Sequence, residues 1–128
     1  MKRRNVTSGS PFEETIGFSR AVRIGNYLAV AGTAPIAPDG STASPGDPYL
    51  QTLRCLEIMK KAIEDGGGRL KNVIRTRIYI TEPGILSDVG RAHAEYFRDI
   101  KPASTVVVVK GLVRDDWLVE LEADCVFD

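Results

Sequence analysis

From Asn72 to Thr81, and again from Trp117 to Phe127, side chains alternate in character with a period of two. That pattern commits the chain to a sheet with one face in a core. In the first stretch Ile74, Thr76, Ile78 and Ile80 fall on one side, and Arg75, Arg77 and Tyr79 on the other. In the second, Val119, Leu121, Ala123, Cys125 and Phe127 share the core side, opposite Leu118, Glu120, Glu122 and Asp124. The second face therefore mixes charges with the apolar Leu118 and Val126. A solvated face would explain the charges alone. Cover by other subunits, with charges paired across strands, explains the mixture better.

The remaining elements follow from local signals. Ala21–Ile24 and Tyr27–Ala31 read as strands flanking Gly25-Asn26, a two-residue hairpin turn. A Gly-, Pro- and Ser-rich loop from Pro35 to Gly46 leads to Asp47-Pro48, an N-cap followed by proline at the first helical position. Cys55, Leu56, Met59, Ala62 and Ile63 then fall on one helical face, and Gly66-Gly67-Gly68 ends that helix. Because these glycines follow a helix and lead into a strand, they read as a cap and not as a phosphate cradle. Ile85, Val89, Ala92, Tyr96, Phe97 and Ile100 mark a second helix, and Thr105–Val109 an apolar strand. Residues 1–15 are polar and aperiodic and read as a flexible lead-in to one domain spanning 16–128. The order is hairpin, helix, strand, helix, strand, strand, which predicts an α+β fold. Its mixed sheet has five or six strands, with both crossover helices on one face.

Composition narrows the function. Seventeen Lys and Arg balance seventeen Asp and Glu, so the basic surplus of a nucleic-acid binder is absent. The basic start, Met1 to Arg4, has no apolar run after it, and no stretch approaches a membrane span, so neither a signal peptide nor a membrane partner is expected. Cys55 and Cys125 form no pattern and read as buried thiols in a reducing compartment, which points to the cytoplasm. No His/Cys/Asp/Glu group has metal-ligand spacing, and no nucleophile elbow is present. The single histidine, His93, reads as a solvated rim residue of the second helix, and Trp117 as an interface packing residue.

The chain end carries the most specific signal. Pro102-Ala103-Ser104-Thr105 opens a valine-rich strand, and Val119-Glu120-Leu121-Glu122 lies in the last one. These segments resemble the RidA (YjgF) family signature of Pro-Ala-Arg-Ser/Thr and Val-Glu-Ile-Glu. Gly17-Phe18-Ser19-Arg20-Ala21-Val22 is similar to the family's opening strand, and Ala31-Gly32-Thr33-Ala34-Pro35 to its Ser-Gly-Gln-x-Pro segment. Gln51 and Tyr96-Phe97 agree as well, so the resemblance runs from about Gly17 to Asp128. It implies a chorismate-mutase-like fold and a homotrimer whose sheets form a barrel, with small-molecule clefts between subunits. It also implies cofactor-free, metal-free hydrolysis of enamines and imines to keto acids and ammonia.

Carried over by position, the resemblance implies that Glu120 positions the attacking water. Gly32 lines the carboxylate pocket, Val106 contacts the imine end through its backbone, and Phe18 forms the aromatic wall. The family's carboxylate-binding arginine falls at Ser104 and a second-helix asparagine at Gly90. A hydroxyl cannot replace a guanidinium that holds a carboxylate in two charge-assisted bonds. The chain thus resembles the branch without that arginine, with Arg20 as a substitute cation or a salt-bridge residue. Two functions follow. One is a deaminase or hydrolase acting on a small C–N metabolite other than a simple 2-imino acid. The other is a non-catalytic trimer that holds a ligand in its clefts.

Overall fold

The structure, a computed structural model, describes all 128 residues. Its centre is a six-stranded sheet ordered β1-β2-β3-β6-β4-β5. The strands are β1 (Arg3–Val6), β2 (Ala21–Ile24), β3 (Tyr27–Thr33), β4 (Val73–Ile80), β5 (Ala103–Val108) and β6 (Val119–Val126). Helix α1 (Pro11–Ile16) joins β1 to β2, α2 (Pro48–Asp65) joins β3 to β4, and α3 (Leu86–Phe97) joins β4 to β5. β4 and β5 pair in parallel, and the other neighbours are antiparallel. The hairpin turns at Gly25, whose φ of 61° places it in the left-handed region.

The helix signals work as read. An Asp47 carboxylate oxygen accepts from the Leu50 N–H at 2.9 Å, with Pro48 at the first helical position. At the other end Gly67 takes φ of 92°, and the Gly68 N–H closes back on the Ile63 carbonyl at 2.9 Å. Cys55, Leu56, Met59, Ala62 and Ile63 of α2 join Val89 and Phe97 of α3 in one core with Leu28, Ile78, Ile80, Val119, Leu121 and Cys125. Both long helices therefore cover one sheet face, and the odd-numbered residues of β6 fill the core. No helix is long and apolar enough to cross a membrane.

Three local expectations differ. Residues 1–15, read as aperiodic, contain β1 and most of α1, so the chain has three helices and not two. The helix was legible: Ser10, Pro11 and Glu13 form a capping box with proline inside it, a signal that its short length concealed. In β4 the pairing slips between Val73 and Arg75, so Val73 takes the core position and Ile74 turns outward, 51% exposed. The histidine is half-buried and held by contacts, not freely solvated. Val89, His93 and Phe97 succeed one another at four-residue intervals on α3, and the His93 ring lies on Phe97 with centroids 4.7 Å apart. Its Nε2 meets the Thr76 hydroxyl at 2.9 Å across the helix–sheet interface, and burial lowers its pKa.

The second face of the sheet carries a polar ladder. Arg77 pairs with Asp124 at 3.1 Å, Tyr27 donates to Asp124 at 2.8 Å, and the Tyr79 hydroxyl donates to Glu122. β5 stands at the edge with every residue exposed, including Val106, Val107 and Val108.

Candidate functional site

A cavity of about 480 Å³ opens between α1, the end of β3 and the loop after it, the middle of α2 and the loop before β6. It forms because β3 does not pair evenly with β6. Val30 stands opposite Ala123 but Thr33 opposite Leu121, so β3 spends one extra residue at Ala31-Gly32. A bulge of this kind bends the strand and re-aims its side chains. Here it brings Gly32 against the carboxylate of Glu120: a Cβ built on Gly32 would collide with Glu120 Oε2. Only glycine leaves that room.

Glu120 is half-buried, and its carboxylate accepts no hydrogen bond from within the chain. Burial raises its pKa; nearby Arg20 pulls it back down, and Glu122 adds to the rise. Glu120 forms no ion pair within the chain; Arg77 of the neighbouring β4 pairs instead with Asp124.

Arg20 is 6% exposed and is not a surface salt-bridge residue. Its Nη1 donates to the Gly32 carbonyl at 2.5 Å and to Thr33 Oγ1 at 3.1 Å, while Nε reaches Ser8 Oγ at 3.4 Å. It thereby pins the bulge and the segment leading to α1. The guanidinium lies 5.2 Å from the Phe18 ring centroid, over its face. Burial lowers the Arg20 pKa, and the charges of Glu13 and Glu120 oppose that shift.

The wall opposite the carboxylate is aromatic. Phe12 meets Trp117 edge to face with centroids 6.4 Å apart, and the Arg114 guanidinium lies within 5.6 Å of the Phe12 centroid and 5.3 Å of the Trp117 ring. Trp117, expected at an interface, is buried within its own chain at 4% exposure, and its Nε1–H has no partner. Neither Phe12 nor Trp117 was singled out for the site from the sequence. The missed signal was again the capping box, which starts the helix that delivers Phe12.

Of the positions carried over by resemblance, Phe18, Arg20, Gly32 and Glu120 line this one cavity. Ser104 and Val106 do not; they lie on β5, separated from β3 by β4 and β6. The Ser104 hydroxyl accepts from Thr76 Oγ1 at 2.8 Å, so Ser104 shares a chain of contacts with His93. Gly90 lies on α3 with open space where a side chain would be.

The chain matches the family described as endoribonuclease L-PSP over residues 10–127. It is 40% identical over 121 residues to an uncharacterized protein of Streptomyces coelicolor, covering 94% of this chain and 90% of that one. A RutC family protein of Pyrococcus abyssi is 34% identical over 106 residues, with 83% of each covered. Among solved structures, a Mycobacterium tuberculosis member of the YjgF/YER057c/UK114 family superposes with a TM-score of 0.88 at 40% identity, covering 98% of this chain and 99% of that one. With a match along nearly its whole length and the same mixed sheet, this chain belongs to the endoribonuclease L-PSP family, the group also called RidA/YjgF.

Proposed function

We propose that the protein is a cofactor-independent deaminase or hydrolase acting on a small enamine, imine or related C–N metabolite other than a simple 2-imino acid. The observation that carries this reading is Glu120, a carboxylate free of hydrogen bonds, partly desolvated and held against a glycine bulge in an aromatic cavity. A carboxylate in that setting is suited to orient water and take its proton. Hydrolysis of an imine is balanced with no other reagent. Water adds its oxygen to the C=N carbon, one water proton passes through Glu120 to nitrogen, and the carbinolamine collapses to a carbonyl and ammonia or an amine.

The reading also makes the chain a homotrimer in which β5 of one subunit faces the cavity of the next. Ser104 and Val106 would then join Phe18, Arg20, Gly32 and Glu120 across the subunit boundary. Support comes from the apolar exposure of β5 and from the family. With Ser104 in place of a guanidinium, imines released by a serine dehydratase are poor substrates. In a coupled assay the protein leaves their spontaneous hydrolysis unchanged within about tenfold; a larger acceleration overturns the exclusion of simple 2-imino acids. Release of ammonia from a panel of bulkier imines, abolished in Glu120→Gln, tests the deaminase reading directly. Ligand binding without turnover by any substrate leaves the non-catalytic trimer instead.

A further inference from the structure

Two polar groups beside the Gly32 bulge keep unused hydrogen-bonding capacity, and they are of opposite kind. Arg20 spends Nε and Nη1 on Ser8, Gly32 and Thr33, but Nη2 has no partner within the chain. The residue is nine-tenths buried, yet Nη2 is not among the sealed atoms, of which Trp117 Nε1 is the only unpartnered one. Arg20 is one of the residues lining the cavity. Glu120, against the same Gly32, has a carboxylate that accepts nothing. One donor and one acceptor thus flank a single bulge.

Charge balance at the bulge decides what fits; of the other charged residues lining the cavity, Arg54 is paired with Glu57 and Asp39 is acidic. The Arg20 cation already lies in the field of two carboxylates, Glu13 and Glu120, and forms a close ion pair with neither. A ligand carboxylate would add a third negative charge beside Glu120 in a partly desolvated space, where like charges repel strongly. A neutral carbonyl accepts from Nη2 without that repulsion, and an adjacent N–H answers Glu120. The remaining wall, Phe12, Phe18 and Trp117, offers aromatic faces and edges to an apolar body.

Building on the cavity as the reaction site, we propose that it selects ligands with a neutral amide-type head and an aromatic or branched apolar body. The head is a carbonyl beside an N–H, with the carbonyl oxygen on Arg20 Nη2 and the N–H on Glu120. This gives the missing β5 arginine a physical reason: the preferred ligand carries no carboxylate to be gripped.

Trp117 is the only tryptophan and lines the cavity, so its emission reports occupancy. Phenylacetamide and phenylacetate, equal in shape and different in charge, are titrated at pH 7.5 while Trp117 fluorescence is followed. Phenylacetamide should give a saturable change with an apparent Kd at least about tenfold below that of phenylacetate. In Glu120→Gln, which removes one negative charge, phenylacetate should gain and the gap narrow. In Arg20→Lys, verified as folded by circular dichroism, phenylacetamide should weaken about fivefold or more. The proposal fails if phenylacetate binds as tightly as phenylacetamide, if neither perturbs Trp117, or if the gap persists unchanged in Glu120→Gln. Should Arg20→Lys not fold, the Glu120→Gln comparison decides alone. These are binding measurements, so amide selectivity together with no ammonia release from the panel of imines would sink the deaminase reading and leave this one standing.

Discussion

Glu120 forms no ion pair within the chain. Arg20, whose charge lowers the Glu120 pKa, spends Nε and Nη1 on Ser8, Gly32 and Thr33, and Arg77 pairs with Asp124. Because burial raises its pKa, the folded protein binds the Glu120 proton more tightly than the unfolded chain does. Ionised Glu120 therefore costs stability above its folded pKa, and the cost disappears as pH falls below the ordinary carboxylate value. Glu120→Gln should melt no lower than the parent at pH 7, with the two melting curves converging toward pH 4. Turnover should rise with pH through the raised Glu120 pKa and fall at least about a hundredfold in Glu120→Gln. A variant that melts lower at pH 7 while turning over normally makes Glu120 structural. Gly32→Ala separates packing from function in another way. The new Cβ meets only the movable end of Glu120, and alanine is favoured over glycine in a strand by roughly 0.5–1 kcal/mol. The protein should keep its stability within about 1 kcal/mol yet lose turnover by tenfold or more, as the carboxylate is pushed aside.

At the level of elements, the site depends on α1, six residues long and too short to persist by propensity. Its capping box supplies what propensity lacks. Ser10 Oγ accepts from the Phe12 N–H, and Glu13 accepts from the backbone of Ser8 and Ser10 and from the Ser8 hydroxyl. Burial alone would raise the Glu13 pKa, but the bonds from Ser8, Thr7 and Ser10 outweigh it and the net shift is downward. Their stabilisation is thus present at neutral pH and lost as pH falls through the lowered Glu13 pKa. Ser10→Ala should cost about 1 kcal/mol, read as a drop of several degrees in Tm. Since Phe12 packs on Trp117, the same variant should shift Trp117 emission. An unchanged spectrum would mean that α1 does not hold the aromatic wall in solution.

For the whole molecule, the chain leaves two surfaces incompletely covered, the polar ladder face and the edge strand β5. Three exposed valines on an unpaired edge invite association, which natural sheets otherwise block with charge or proline. Light scattering should give a mass about three times 14.0 kDa, and a species near the chain mass would remove the intersubunit half of the proposed site. Most of this architecture was legible in advance. Alternation over 119–127, the stripe of α2 and its Asp47-Pro48 start are local patterns, and burial followed them closely. The reading erred at Ile74, where a bulge cancels the parity, and it missed the contacts of His93 with Phe97 and Thr76.

The sequence by itself determined the order of the main elements, the core face of each long element, the family and the presence of Glu120 in the last strand. Those properties follow from side-chain periodicity and from motifs whose residues are neighbours in the chain. Only the tertiary structure decided that Arg20 is buried against Gly32, that Phe12 and Trp117 build the cavity wall, and that Ser104 lies outside it. Such contacts join residues as far as 105 positions apart, and the slip in strand pairing at Ala31-Gly32 leaves no periodic trace in the sequence.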